Sequence, residues 1–153
     1  MQVSPPPLTS DPSALYRVGC VAQVRDEFAP HGAARFVELV SDKYYDGVAL
    51  HRAVEDICMG FGIAKDVDLR RKWTGNTIPD DSSAEPGLPP PRIPFVRGVV
   101  SFAGSGPDSR DVNLIIPYRY LDYMGNVRGD APWEVPIGYV ETRKLPSARN
   151  THD

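Results

Sequence analysis

Prolines and glycines interrupt this chain so often that long helices have little room to form. The 153 residues include 16 prolines and 13 glycines. Proline removes a backbone donor and clashes with the preceding turn of a helix, and both residue types mark turns. The apolar fraction of 41% and the charged fraction of 24% are ordinary for a globular chain. The composition therefore predicts one domain of short strands and turns, and argues against a helical bundle.

Short stretches rich in β-branched and aromatic residues recur between these turns. The alternation in "LYRVGCVAQV" at residues 15–24 is typical of a strand. Further strand signals occur at residues 48–54, 57–63, 96–106, 112–118 and 132–140. The signals at residues 48–54 and 57–63 are also compatible with one bulged strand. The prolines in residues 132–140 indicate that this strand lies at an edge or contains a bulge. About six short strands at this spacing suggest a barrel or a sandwich.

One helix is predicted, over residues 30–41. Pro30 suits the first turn of a helix. One apolar stripe is formed by Ala33, Phe36, Val37 and Val40 at helical spacing. By contrast, residues 65–94 are polar and rich in proline, with little sign of regular structure, and so long a loop is usually functional or firmly anchored.

The domain limits follow from composition. Residues 1–13 are rich in proline and serine and are expected to form a flexible arm. Residues 14–145 hold the predicted elements, and residues 146–153 form a tail. In the interior we expect Phe36, Val40, Val99 and Ile116.

Several classes of function find no support. The net charge of −3 and the scattered basic residues argue against a nucleic-acid partner. No apolar run approaches the ~18 residues of a membrane span, and the N-terminus lacks the pattern of a secretory signal. The compartment is therefore not predicted.

Metal and nucleophilic sites are likewise not indicated. The three histidines, His31, His51 and His152, have no ligand spacing, so no cofactor is expected. Ser105 lies in "GSGPDS", which favours a tight turn rather than a nucleophile elbow. Cys20 and Cys58 allow one disulfide or two free thiols, and their apolar surroundings favour buried, inert thiols.

An arginine at the end of a short strand is the unusual feature of "LHRAVEDICMGFGI" at residues 50–63. Arg52 either lies on a solvated face or points into a groove. The blocks "FAPHGAARFVELV", "YYDGVALHRAV", "RGVVSFAGSGPDSRDVNLII" and "APWEVPIGYV" occur in the order found in cyclophilin-type peptidyl-prolyl isomerases. The chain resembles that family over roughly residues 16–140, which favours the groove.

The resemblance implies which residues line that groove. Arg52 matches the family's groove arginine, and Phe102 and Ala103 match the wall that follows a strand. Six positions depart from the family pattern: Ile57 and Ile115 replace phenylalanines, Gly60 and Asn113 replace glutamines, Gly104 replaces an asparagine, and Glu134 lies near the usual histidine. We expect Arg52, Phe102 and Asn113 on one concave surface, with Ile57 and Ile115 as its apolar base.

The resemblance also implies a cyclophilin-like β-barrel that acts on, or binds, proline-containing peptide segments. Gly60 removes the amide that would orient Arg52, and Ile115 removes the ring that would grip proline, so activity is expected to be weak or lost. One alternative is a non-catalytic subunit of a larger assembly, and another is an unrelated β-barrel binding module. The short termini predict an incomplete barrel with an open edge. Either the chain is trimmed, or a partner covers that edge.

Overall fold

The structure, a computed structural model, describes residues 18–81, 93–122, 131 and 133–144. The predicted arm at 1–13 and tail at 146–153 lie outside the described residues, as does the 82–92 part of the proline-rich segment. The domain limits of 14–145 therefore stay a prediction.

The described chain forms one antiparallel sheet with two helices. The strands are β1 (Val18–Val24), β2 (Arg52–Val54), β3 (Cys58–Phe61), β4 (Val99–Phe102), β5 (Leu114–Pro117) and β6 (Pro136–Lys144). The helices are α1 (Pro30–Ser41) and α2 (Val67–Trp73). The strand order is β1-β6-β4-β5-β3-β2, and every neighbouring pair is antiparallel. This confirms the mainly β prediction.

The sheet is not closed within the described residues. The edge strands are β1, which pairs with β6, and β2, which pairs with β3. An open sheet of this kind agrees with the prediction of an incomplete barrel.

Helix α1 has the predicted bounds, but its buried face is rotated from the predicted stripe. Val37 and Val40 are 57% and 50% exposed, so the prediction of Val40 in the core was wrong. The helix packs closely against β6 at Gly32, where a Cβ would lie 2.6 Å from Ile137 Cγ2. That close approach turns Leu39 into the core instead.

The three other predicted core residues are buried or half-buried. Val99 and Ile116 are buried, and Phe36 is half-buried against the main core. Arg35 is buried as well, and its Cζ lies 5.1 Å from the ring centroid of Trp73. The main core thus extends from the sheet to Trp73 of helix α2.

The proline-rich segment contains a helix that the sequence analysis missed. Helix α2 begins after Asp66, whose side chain accepts bonds from Asp68 N and Leu69 N at 2.8 and 2.9 Å. Such a carboxylate is a standard N-cap. Trp73 ends the helix and donates its Nε1–H to Asp42 Oδ2 at 2.8 Å, which joins α2 to the end of α1.

The central strands present alternate residues to two faces, as the pleat requires. Val100, Phe102, Leu114 and Ile116 belong to the main core. Ile115 belongs to a smaller cluster with Phe95 and Leu121. A row of directly paired residues crosses four strands on the face of Ile115: Ser101, Ile115, Gly60 and Arg52.

Candidate functional site

A cleft of about 340 Å³ lies on the face of the sheet that carries this row. His51, Arg52 and Gly60 form what we call the strand wall, supplied by β2, the residue before it and β3. Gly104, Ser105, Ser109 and Asp111 form the loop wall, supplied by the connection between β4 and β5. Ala103, Asn113 and Ile115 lie between the walls and form the base.

The structure brings most of the residues suggested by sequence into this cleft. Those lining it are Arg52, Gly60, Ala103, Gly104, Asn113 and Ile115. Ile57 does not line it, but packs half-buried beside the cluster of Phe95, Ile115 and Leu121 that supports the base. Ile57 was predicted in the base of the cleft, and the structure places it beside the cluster that supports the base.

Phe102 requires a correction, because it is fully buried in the main core and does not line the cleft. In the β4–β5 register it lies opposite Leu114, another residue of that core. Directly paired residues share a face of an antiparallel sheet. Ala103, one residue further along, reaches the cleft instead.

Arg52 is held mainly by its strand. It pairs with Gly60 across β2 and β3. Its stem covers the place where a side chain at position 60 would begin, with Arg52 Cβ 3.5 Å and Cδ 3.9 Å from a Cβ built on Gly60. No carboxylate of the described residues forms an ion pair with Arg52. The guanidinium is therefore exposed in the cleft and available to a ligand.

The loop wall is organised by side chains that bond to nearby backbone. Ser109 Oγ accepts from Ser105 N at 2.8 Å and from Gly106 N at 3.0 Å. Asp111 accepts from Gly75 N at 3.0 Å, from Val112 N at 2.5 Å and from Asn113 Nδ2 at 3.3 Å. These bonds leave little acceptor capacity on the Asp111 carboxylate.

Residues 75–81, which we call the brace, fasten the loop wall from behind. Ile78 N donates to Arg110 O at 2.8 Å. Asp80 and Asp108 accept reciprocally from each other's backbone N–H at 3.0 and 2.7 Å. The brace thus fixes the loop wall at several points along its length.

A buried ion pair anchors the end of the brace. Arg110 Nη1 donates to Asp81 Oδ2 at 2.6 Å, and both side chains are fully buried. Arg110 Nη2 also donates to Pro79 O. Asp81 Oδ1 accepts from His31 N at 2.6 Å, and Asp81 Oδ2 accepts from Gly32 N at 3.3 Å. Asp81 therefore caps α1 as well, although it lies far from the helix in sequence.

Several cleft residues were not predicted from the sequence. Ser109 and Asp111 lie in "GPDSRD", where serine and aspartate side chains that bond nearby backbone are a recognisable turn signal. His51 was considered only as one of three histidines without ligand spacing, yet it lines the same wall as Arg52. No comparable local signal indicated the brace.

The described residues contain no group of three or more histidine, cysteine, aspartate or glutamate side chains that could hold a metal ion. None of the helices in the described residues is long and apolar enough to cross a membrane.

A protein-family model shows to which family the chain belongs. The family model "cyclophilin type peptidyl-prolyl cis-trans isomerase/CLD" matches residues 19–121, more than half of the chain. The chain belongs to the cyclophilin-type peptidyl-prolyl cis-trans isomerase family.

Curated relatives carry the same family name. A "probable peptidyl-prolyl cis-trans isomerase" of Brucella abortus is 29% identical over 99 residues, and one of Brucella suis is equally similar. The match covers 63% of this chain and 50% of each relative, so the chain spans about half the length of these relatives.

Among solved structures, a cyclophilin-type isomerase of Cryptosporidium parvum is similar with a TM-score of 0.48 and 15% identity, over 82% of this chain and 91% of that chain. The same protein in the presence of the dipeptide Ala-Pro is similar with a TM-score of 0.48 and 14% identity, over 81% and 92% of the two chains.

This cyclophilin-type chain has a crowded rim at Gly104. A Cβ on Gly104 would lie 2.6 Å from Trp133 Cδ1 and 3.0 Å from Ser109 Oγ. Only glycine lets the indole pack so closely. The Trp133 Nε1–H is buried and has no acceptor among the described residues, an arrangement that usually costs about 1–3 kcal/mol.

Glu134 is the neighbouring acidic group of this cyclophilin-type cleft. The Glu134 side chain is largely buried, and its Oε1 accepts from Gly104 N at a long 3.4 Å. Burial raises the pKa of the Glu134 carboxyl, while the Gly104 N–H bond and the positive charge of Arg52 act in the opposite direction.

Cys58 is a buried free thiol, as its apolar surroundings indicated. Burial raises the pKa of the Cys58 thiol, whereas the charge of Arg52 lowers it. A raised pKa keeps the thiol protonated and poorly nucleophilic. The side chain of Cys20 lies outside the described residues.

Proposed function

We propose that this chain binds proline-containing peptide segments in the cleft and isomerises X–Pro bonds slowly. The observation that carries the proposal is the Arg52 guanidinium, which has no ion-pair partner among the described residues and lines a cleft with an apolar base. A free cation beside apolar surface suits a substrate that offers an amide next to a hydrocarbon ring.

Rotation about the X–Pro bond requires the loss of amide resonance, which sets a barrier of about 18–20 kcal/mol. A donor directed at the prolyl nitrogen stabilises the state in which that nitrogen becomes pyramidal. Arg52 would supply this donor, while Ile115 and Ala103 contact the ring. Such catalysis consists of electrostatic stabilisation and orientation, with no covalent step.

The strand wall explains why the rate should be low. Gly60 offers no side chain to hold the guanidinium, and β2 is a three-residue strand at the edge of the sheet. Positional errors of about 1 Å in a catalytic group can cost ~100-fold in rate. Ile115 also lacks the ring faces that make aromatic contacts worth about 0.5–1.5 kcal/mol.

The open sheet favours a second candidate, in which the domain is a non-catalytic subunit of a larger protein assembly. Strands β1 and β2 each have one edge unpaired within the described residues. An unpaired edge is a template for pairing with another chain.

NMR exchange spectroscopy on a short Ala-Pro peptide tests the first candidate. We expect the wild-type chain to accelerate cis-trans exchange, and Arg52→Ala to abolish most of that acceleration. Arg71→Ala is the matched control, because Arg71 forms only a surface ion pair with Asp68. Equal rates with wild type and Arg52→Ala would refute catalysis by this cleft. A stable complex purified with such an inactive chain would favour the subunit.

A further inference from the structure

Glu134 has acceptor capacity that the described residues leave unused. An ionised carboxylate has about four lone-pair sites. The Glu134 carboxylate accepts one long bond, from Gly104 N, although only 9% of the residue is exposed. Buried carboxylates are normally paired or fully hydrogen-bonded, because losing hydration is costly. This group is therefore placed to gain from a donor that arrives with a ligand.

The other charged groups nearby do not satisfy Glu134. The charge of Arg52 acts on Glu134, but no ion pair joins the two side chains. Cys58 is a buried free thiol on strand β3. Asp111, the acidic residue of the loop wall, has its oxygens occupied by three donors from the protein. Among the described residues, Glu134 is thus a carboxylate beside Gly104 of the loop wall whose bonding is incomplete.

We propose that Glu134 makes the cleft selective for proline segments that carry a lysine or arginine side chain beside the proline. This inference rests on the proposed binding of proline peptides. The ligand's cation supplies charge-assisted hydrogen bonds to the carboxylate, which are stronger than those from neutral donors. Arg52 repels a second cation, and this repulsion limits the gain to about tenfold in affinity, the factor that ~1.4 kcal/mol produces.

Two peptide series test the selectivity. Peptides of the form Ala-Xaa-Pro-Ala and Ala-Pro-Xaa-Ala place lysine, norleucine or glutamate on either side of the proline. Norleucine keeps the hydrocarbon stem of lysine and removes its charge. NMR titration then gives the Kd of each peptide for the wild type, for Glu134→Gln and for Glu27→Gln. Glu27 is an exposed residue paired with Arg25, so its variant matches the change in net charge.

We expect lysine to bind about tenfold more tightly than norleucine in at least one series, for the wild type and for Glu27→Gln. In Glu134→Gln the two peptides should bind equally. Equal binding to the wild type, or a lysine preference that survives in Glu134→Gln, would overturn the inference but leave the proposed function intact, since the norleucine peptide still binds. If no proline peptide binds, both proposals fall.

Discussion

The loop wall of the cleft is bonded to a segment distant in sequence, whereas the strand wall depends on its own short pairing. Residues 75–81 bond to the loop wall through Asp111, Asp108 and Arg110. On the opposite side, Arg52 lies in a three-residue strand that pairs with β3 alone. No described side chain forms an ion pair with its guanidinium.

This difference separates two requirements of a peptide-binding cleft. A rigid loop wall can position a ligand even when the side chains of the opposite wall are held less firmly. Catalysis also requires the cation to be held in place, because only interactions that strengthen in the transition state raise the rate. Under the proposed function, the loop wall would therefore serve binding while Arg52, held by a three-residue strand, would serve catalysis, and changes to each wall should have different consequences.

The largest effect should follow from breaking the brace. Asp81→Asn leaves the buried guanidinium of Arg110 without its counter-ion, and removing one partner of a buried pair costs about 3–5 kcal/mol. Urea denaturation followed by circular dichroism measures the loss of unfolding free energy. Asp68→Asn is the matched control, because it breaks a surface pair with Arg71 and should cost no more than about 1 kcal/mol. Equal costs for the two variants would show that the brace does not stabilise the loop wall.

The base of the cleft should tolerate a larger ring less well than family resemblance suggests. Ile115 is buried against Phe95 and Leu121. Ile115→Phe adds volume to this cluster, and overpacking typically costs about 1–3 kcal/mol. Thermal unfolding of Ile115→Phe beside Ile115→Leu, which keeps the volume, gives the cost of added size alone. A neutral Ile115→Phe would reveal free space in the base and would restore the expectation that a ring at this position improves proline binding.

A smaller but catalytic effect should come from the strand wall. A Cβ on Gly60 meets only ordinary contacts with Arg52, at 3.5 Å and beyond, so Gly60→Gln should fit and give the guanidinium a partner. We expect kcat/KM for an Ala-Pro peptide to rise about tenfold, which corresponds to ~1.4 kcal/mol of barrier. Gly60→Ala stiffens the backbone equally without adding an amide. If Gly60→Ala produced the same gain, orientation of Arg52 would not be the cause.

Much of the sheet and of helix α1 was predictable, because both depend on local patterns. Pro30 fixed the start of the helix, and strand-like runs marked each strand. The rotation of α1 was not predictable, since the stripe containing Val40 and the stripe containing Leu39 fit the same periodicity. The contact of Gly32 with Ile137, more than a hundred residues away, selects between them.

The site residues were likewise predictable where local sequence patterns placed them, and not where distant contacts did. The family blocks predicted Arg52, Gly60 and Asn113 as groove residues, and all three line one cleft. Phe102 was misplaced because the side-chain period of a strand is two, so an error of one residue moves a side chain to the opposite face. The role of Asp81 had no local signal, since its partners His31 and Arg110 are distant in sequence.

The smallest effect should be a pH dependence of stability at Glu134, beside Gly104 of the loop wall. Burial raises the folded-state pKa of Glu134 above its ordinary value of 4.5. The folded state then binds the proton more tightly than the unfolded state, so this group's contribution is fully present below pH 4.5 and is lost as the pH rises through the folded-state pKa. Glu134→Gln should therefore gain stability relative to the wild type across that window.

Asp42 provides the opposite sign in the same molecule. The bonds from Lys72 and Trp73 lower the pKa of the Asp42 carboxyl below its ordinary value of 3.8. Its contribution is present above that value and is lost as the pH falls through the lower folded-state pKa. Denaturation of wild type, Glu134→Gln and Asp42→Asn from pH 3 to 8 should thus give two difference curves: one in which the variant gains as pH rises and one in which it loses. Parallel curves would mean that Glu134 is hydrated rather than buried.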